Sequence, residues 1–477
     1  MRILFLVHNL GKTRHFEGVI HELTARKHTV VLGAVRKRKA LRATKVLHDN
    51  VRVEVAQAPA RRIDGWQEIA LALRRARDYV RFLDPRYARA HKLTARAGEY
   101  APSGLGDAIA RRPWLRRRWR LLAGALALAE RVMPTERYFE LFIKAERTDL
   151  LLVTPLVDFG SYQTDYVKAA HHLGVPVAFL PFSWDNLTNR GLIRVSPDRV
   201  IVWNEVQRRE AVEMHGVPAD RVIVAGAPRF DDFLRLRPST TREAFCALVG
   251  LDPAHPIILY TCSSNFVAPE EVAFVRAWIA RLREAPDERL RHCSVLVRPH
   301  PAHPEEWERT DVSGLPGVAI WSHGMSLQAD QGLYDSLHHC AAVVGLNTSA
   351  MIEAAIVGRP VFTVTAPEFS GGQQGTLHFS YLLVENGGIL TAAEGFDQHL
   401  PQLAAAVRGE DNAAERSRRF VSTFVRPRGL ELPAAPIMAD EVVRVGALRK
   451  PRRRAAFWHY PLRWALRAAA GRMTGSR

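Results

Sequence analysis

Twelve short apolar runs, most of them followed by a helical pattern, constrain this chain more than any other feature. Seven lie at 3–7, 29–35, 51–55, 150–154, 177–180, 200–203 and 222–225, and five at 257–260, 294–297, 318–321, 342–346 and 361–364. Near-continuous apolar runs mark strands buried on both faces, and strands separated by helices need crossover connections, hence parallel sheets. The expected fold class is α/β, with two Rossmann-like doubly wound domains. The expected boundaries are 1–235 for the first domain, 236–255 for a linker, 256–425 for the second domain and 426–477 for a C-terminal extension. Residues 61–147 are too long for one crossover and have an Arg-rich helical composition, so they read as a helical insertion in the first domain.

The second group carries the clearest chemistry. The run 342–346 ends in Asn347, Thr348 and Ser349, and a helical pattern begins there with Thr348 or Ser349 as the expected N-cap. Open backbone N–H groups and the positive end of the macrodipole favour a phosphate before the first turn. Glu353 follows Ser349 by one turn, about 6 Å along the same face, close to the span from a pyrophosphate to the ribose of one nucleotide. The run 294–297 empties into Arg298-Pro299-His300-Pro301-Ala302-His303-Pro304. Ligands of open parallel sheets bind beyond the carboxyl ends of the strands, so both motifs would address one crevice. Arg298 and His300 bring donors to phosphate oxygens, and Ser264, at the end of the 257–260 run, adds another. The loop around 321–331 would hold the nucleobase.

These motifs resemble the GT-B glycosyltransferase superfamily, in the branch that includes CDP-glycerol glycerophosphotransferases, Kdo-transferase-like enzymes and UDP-GlcNAc 2-epimerases. The resemblance extends to Trp203-Asn204, to 207–216 and to 217–231, and so covers most of the chain. It implies the GT-B architecture, with two domains facing a cleft. It also implies a nucleotide-sugar co-substrate with no further cofactor. By this resemblance Ser349 and His300 hold the donor diphosphate and Glu353 its ribose. No metal is expected, because a helix dipole and basic side chains take the place of the cation that would steady the leaving diphosphate.

A base must come from the first domain. The loop after 177–180 reads Pro181-Phe182-Ser183-Trp184-Asp185-Asn186-Leu187-Thr188-Asn189-Arg190-Gly191. In the glycerophosphotransferase relatives this place looks like a Trp-His-Gly motif whose histidine serves as the base, whereas here Asp185 follows Trp184. An aspartate can deprotonate an acceptor hydroxyl, and it favours a sugar donor over glycerol phosphate; Asp185 also fits an Asx-turn anchor. Asp158 is the second candidate base. His8, Asn9, Trp184 and Asn186 are expected at the acceptor.

Partners follow from charge. The net charge of +18 is concentrated in two stretches: 61–120 holds 16 Lys and Arg against 6 Asp and Glu, and 448–477 holds 9 against none. Two basic attachments on a near-neutral body suggest docking on an anionic membrane surface. In the tail, Arg452, Arg453 and Arg454 precede Phe457, Trp458, Tyr460 and Trp464. Helical spacing there gives an apolar stripe of Trp458, Leu462, Ala465 and Ala469, with Arg463 and Arg467 on another face. No nucleic-acid module accompanies the charge. The longest apolar run, 121–129, cannot span a bilayer, and the four dispersed cysteines suggest neither zinc nor disulfides. The expectation is a cytoplasmic glycosyltransferase, peripheral on the inner face of the cell membrane. It would move a sugar from a nucleotide-sugar donor to a hydroxyl of a cell-envelope polysaccharide or lipid-linked acceptor. The alternatives are a CDP-glycerol-type polyol phosphate transferase, a UDP-GlcNAc 2-epimerase-like enzyme, and a catalytically silent nucleotide-sugar binding protein.

Overall fold

The computed structural model describes residues 1–36, 50–301, 304–312, 314–321, 329–448, 451–452 and 456–474. Ala302, His303, Arg453, Arg454 and most of the expected nucleobase loop (322–328) lie outside the described residues.

Two parallel sheets form. The first orders its strands β3-β2-β1-β4-β5-β6-β7, from β1 (Arg2–Asn9), β2 (Thr29–Arg36), β3 (Val53–Gln57), β4 (Leu150–Val153), β5 (Val177–Phe179), β6 (Arg199–Val202) and β7 (Val222–Val224). The second is ordered β10-β9-β8-β11-β12-β13, from β8 (Ile257–Thr261), β9 (Ser294–Arg298), β10 (Val318–Ile320), β11 (Ala342–Gly345), β12 (Val361–Val364) and β13 (Leu390–Ala393). Every strand pair is parallel, and strands such as β4 and β8 are buried along their whole length. The α/β, doubly wound expectation therefore holds in both halves. Two details differ. β3 starts at Val53 because Val51 is fully exposed in the preceding turn, and β13 has a Leu-Thr-Ala-Ala sequence that gives no apolar run.

The chain divides into Met1–Arg229 with Arg426–Arg477, and Phe230–Val425. The helix Ala434–Gly446 brings the chain back to the first unit, where Ala435, Met438, Ala439, Val442 and Val445 share a core with Val19, Ile20 and Leu23 of the helix Glu17–Ala25. Between 236 and 255 the second unit has a helix, Arg242–Val249, capped by Thr241, whose hydroxyl accepts from the Ala244 N–H at 3.3 Å.

The insertion is helical, with Gln67–Arg81, His91–Tyr100, Trp119–Val132 and Arg137–Ala145 as its longer members. Its charge needs correction: several arginines expected on a docking surface point inward. Arg74 donates to both oxygens of buried Asp165, at 2.6 and 2.8 Å, and to Glu130 at 3.1 and 3.2 Å; Arg62 shares Asp165 at 2.8 Å. Burial alone would raise the Glu130 carboxyl, but the charges of Arg74 and Lys168 outweigh it and bring it down to about 2. Removing one member of such a network strands the others in low dielectric. Arg74→Ala should therefore destabilise the protein by about 3–5 kcal/mol, read by chemical denaturation, whereas Arg117→Ala on the exposed surface should change little.

Candidate functional site

Strand order fixes where each sheet opens. Crossovers leave β1 toward β2 and β3 but reach β4 on the other side, and β8 and β11 stand in the same relation, so each unit has a crevice at the carboxyl ends of those central pairs.

In the second unit, β8 and β11 pair with Gly345 opposite Thr261. A Cβ on Gly345 would lie 2.8 Å from the Thr261 carbonyl oxygen, so only glycine lets the two strand ends come this close. Beyond that point Ser263 Oγ accepts the Asn347 backbone N–H at 3.2 Å, tying the two ends together. Asn347 Nδ2 donates to the Gly372 carbonyl at 2.8 Å, and buried Gln373 Nε2 donates to the carbonyls of Leu346 and Val364 and to Thr363 Oγ1. A glycine-rich loop, 371–375, is thereby clamped under the Asn347-Thr348-Ser349 turn. A Cβ on Gly372 would sit 2.3 Å from the Val267 carbonyl.

The helix Ala350–Val357 starts at this turn with Ser349 in the N-cap position. The expected hydroxyl cap is not made: Ser349 forms no side-chain capping bond, and Thr348 Oγ1 accepts from the Ala350 N–H only at 3.5 Å. Among the described residues no acceptor is found for the backbone N–H groups of Thr348 and Ser349, which leaves donors at the positive helix end. Glu353 is buried one turn along.

Arg298, at the end of β9, is oriented by its own unit. Its Nη1 donates to the Gly332 carbonyl at 3.1 Å and to Ser336 Oγ at 3.0 Å, and its guanidinium lies 5.0 Å from the Trp321 ring centroid. Burial alone pushes it down to about 10, with no opposing carboxylate among the described residues. His300 is half-buried in the following loop, and half-buried Ser264 accepts the N–H groups of Val267 and Ala268 through its carbonyl.

One buried acid escaped the sequence reading. Glu271 accepts the Ser263 N–H at 2.8 Å and the Tyr260 hydroxyl at 3.0 Å, yet burial outweighs both donors and pushes it up to about 7. Its apolar neighbours on the helix Glu271–Arg283 gave no hint, because contact with Ser263 depends on the loop after β8.

In the first unit, residues beyond the ends of β1 and β5 converge on the Phe182 ring. Lys12 Nζ lies 4.2 Å from its centroid, His15 stacks on it at 5.3 Å, and the Arg190 guanidinium approaches at 5.3 Å. Burial, with the charges of Arg190 and Arg14, lowers Lys12 to about 8, partly offset by Asp158 and Asp185. Asp158 is ion-paired with Arg190. Asp185 is half-buried and accepts Asn189 Nδ2 at 2.5 Å and Asn186 Nδ2 at 3.4 Å. Asn186 and Trp184 differ from the acceptor-facing expectation. Asn186 is fully buried and its Oδ1 accepts the N–H groups of Phe182 and Ser183, so it shapes the loop; Trp184 is buried as well. The insertion anchors the same loop, since Arg81 donates to the carbonyls of Arg190 and Gly191 at 2.8 Å. Asp78 accepts the Gly160 and Leu192 N–H groups.

Beside Asp158 opens a cavity of about 400 Å³, lined by His8, Arg61, Gln67, Leu71, Phe159 and Tyr162 among others. His8 is exposed at its edge, and Asn9 is half-buried at the end of β1. The insertion thus supplies one wall of a first-unit pocket, which the Arg-rich composition of 61–147 did not reveal.

Solved structures share this architecture. UDP-GlcNAc 2-epimerase from Neisseria meningitidis, bound to UDP-GlcNAc, superposes with a TM-score of 0.53 at 14% identity, over 93% of this chain and 100% of that one. A glycosyltransferase from Rickettsia africae gives 0.52 at 10%, over 93% and 97%. The fold is GT-B. The UDP-GlcNAc 2-epimerase of Methanocaldococcus jannaschii gives 0.51 at 11%, over 93% and 99%, so GT-B members of both chemistries are among the neighbours. No protein-family model matches the chain, and no curated protein matches its sequence.

Because Glu271 holds its proton more tightly when folded than its ordinary value of 4.5 allows, the folded state binds more protons between about pH 4.5 and pH 7, and stability falls as pH rises through that window. Glu271→Gln should remove this slope, worth about 3 kcal/mol across the window, in thermal unfolding curves recorded from pH 5 to pH 8.

Proposed function

We propose that this chain is a glycosyltransferase that moves a sugar from a nucleotide-sugar donor to a hydroxyl of a cell-envelope polysaccharide or lipid-linked acceptor, at the cytoplasmic face of the cell membrane. The observation that carries the reading is the second-unit turn: N–H donors of Thr348 and Ser349 at the positive end of the Ala350–Val357 helix, with the Glu353 carboxylate one turn beyond. That arrangement suits a diphosphate followed by a ribose. The oriented Arg298 would add positive charge, and His300 a hydrogen-bond donor, where the leaving diphosphate develops negative charge, so that no metal is needed.

In the proposed step, the acceptor oxygen bonds to the anomeric carbon as the bond from that carbon to the diphosphate breaks. The acceptor proton passes to Asp185, and a nucleoside diphosphate leaves. Asp185 suits the base role better than Asp158, since amide donors steady it while Arg190 occupies Asp158. The acceptor would occupy the first-unit cavity, whose size fits a small saccharide and whose lining mixes the aromatic faces of Phe159 and Tyr162 with the polar ends of Gln67 and Arg61.

A second reading has support from the comparisons: two of the structures above are UDP-GlcNAc 2-epimerases. An epimerase would convert free nucleotide sugar with no acceptor, and the first-unit cavity favours the transferase.

Thermal unfolding with UDP, GDP, CDP and their sugar conjugates tests the donor site. One nucleotide family should stabilise the protein, and Glu353→Ala and His300→Ala should each weaken its binding about tenfold or more, the loss expected for one charge-assisted contact. Wild-type affinity in both variants would sink the reading. Turnover should survive EDTA; isomerised free nucleotide sugar in place of released nucleoside diphosphate would establish the epimerase instead.

A further inference from the structure

The two basic stretches of this chain, more than three hundred residues apart in sequence, meet in the first unit. Arg463 Nε, on the C-terminal helix His459–Thr474, donates to the Val132 carbonyl at 2.6 Å, at the end of the insertion helix Trp119–Val132. The Arg131 guanidinium lies 5.7 Å from the Trp458 ring centroid, and Arg467 lies 4.8 Å from that of Trp66. Leu466 packs on the cluster of Trp66, Ala70 and Met133. Arg463 and Arg467 therefore attach the helix to the protein. The expected amphipathic order is changed: Phe457, Tyr460 and Trp464 are left outside, 86%, 62% and 76% exposed.

The insertion presents the same composition next to this helix. Trp114 is 58% and Leu121 68% exposed, and Arg111, Arg112, Arg116, Arg117, Arg118 and Arg120 are all exposed. No carboxylate occurs between Asp107 and Glu130, nor after Glu441. A soluble surface rarely keeps this many large apolar side chains exposed in adjoining elements, and a uniform positive field around them selects an anionic partner.

We propose that the C-terminal helix and the arginine-rich helices of the insertion form a single docking face for an anionic lipid bilayer. Aromatic rings settle at headgroup level and arginines meet lipid phosphates, while aliphatic Leu121 enters the acyl boundary, a contact that no nucleic acid offers. Glu130 runs inward from the same Trp119–Val132 helix to Arg74 of the helix Gln67–Arg81, which lines the first-unit cavity, so one buried ion pair links the docking helix to the cavity wall. The inference deepens the proposed function by naming the partner, and it rests on that reading only for the acceptor found there.

The test uses the full chain in sedimentation with phosphatidylcholine vesicles, with or without phosphatidylglycerol. Wild type should bind only the anionic vesicles. Three double variants should each raise the lipid concentration at half-binding about tenfold or more without lowering the unfolding temperature: Tyr460→Ala with Trp464→Ala, Trp114→Ala with Leu121→Ala, and Arg116→Glu with Arg117→Glu. Absence of binding by wild type overturns the proposal. So does an effect confined to the arginine reversals, which marks a soluble polyanion site, or to one of the two segments, which refutes a shared face. Anionic-vesicle binding without any nucleotide-induced thermal shift would support the docking face and sink the proposed reaction.

Discussion

Parallel pairing with right-handed crossovers is the constraint on which the rest of this structure depends. Once β1 and β4, and β8 and β11, are neighbours whose connections run to opposite sides, no helix can cover the carboxyl ends of those strands. Each sheet must leave a crevice there. The close approach of Gly345 to Thr261 and the Ser263–Asn347 hydrogen bond show how tightly the second crevice is drawn. A cradle tied to strand ends in this way is held in place by the packed sheet beneath it. Precision at a ligand then comes from the core rather than from the loop.

Polar groups do the equivalent work in the first unit. The insertion sends Asp78 and Arg81 into the loops that carry Asp158 and Asp185, and its other arginines close on Asp165 and Glu130. Replacing apolar packing with a satisfied ionic network favours one arrangement of helices over near alternatives, since a shifted register would leave a charge without its partner. The same segment looks surface-seeking in composition, yet serves as a scaffold on its inner side and as a charged exterior on its outer side.

How much of this was legible in the sequence depends on how local the signal is. Runs such as Leu150-Leu151-Leu152-Val153 announce buried strands because burial on both faces leaves no room for polar residues. The turn at Asn347-Thr348-Ser349 was legible because strand, small polar residues and helix follow one another along the chain. Non-local pairings were not: Glu271 with Ser263, Gln373 under Leu346, Arg463 on Val132. Asn186 was misplaced for a related reason. Its residue type suits ligand contact and turn building equally, and only the N–H groups of Phe182 and Ser183 decide between them. Thr348 and Ser349 were expected to cap their helix, and the side chains do not do so.

The return of residues 426–477 to the first unit carries a consequence for synthesis. The second unit is one continuous stretch, Phe230–Val425, and can fold as it leaves the ribosome, whereas the first-unit core lacks Met438, Val442 and Val445 until the last helices emerge. At about 5–20 residues per second the first sheet waits roughly 10–40 s while those intervening residues are made. During that interval the helix Glu17–Ala25 packs on the early strands through Phe5 and Val7 but lacks the part of its cover that Met438 and Val442 supply, which makes a C-terminal truncation more damaging than its short length suggests.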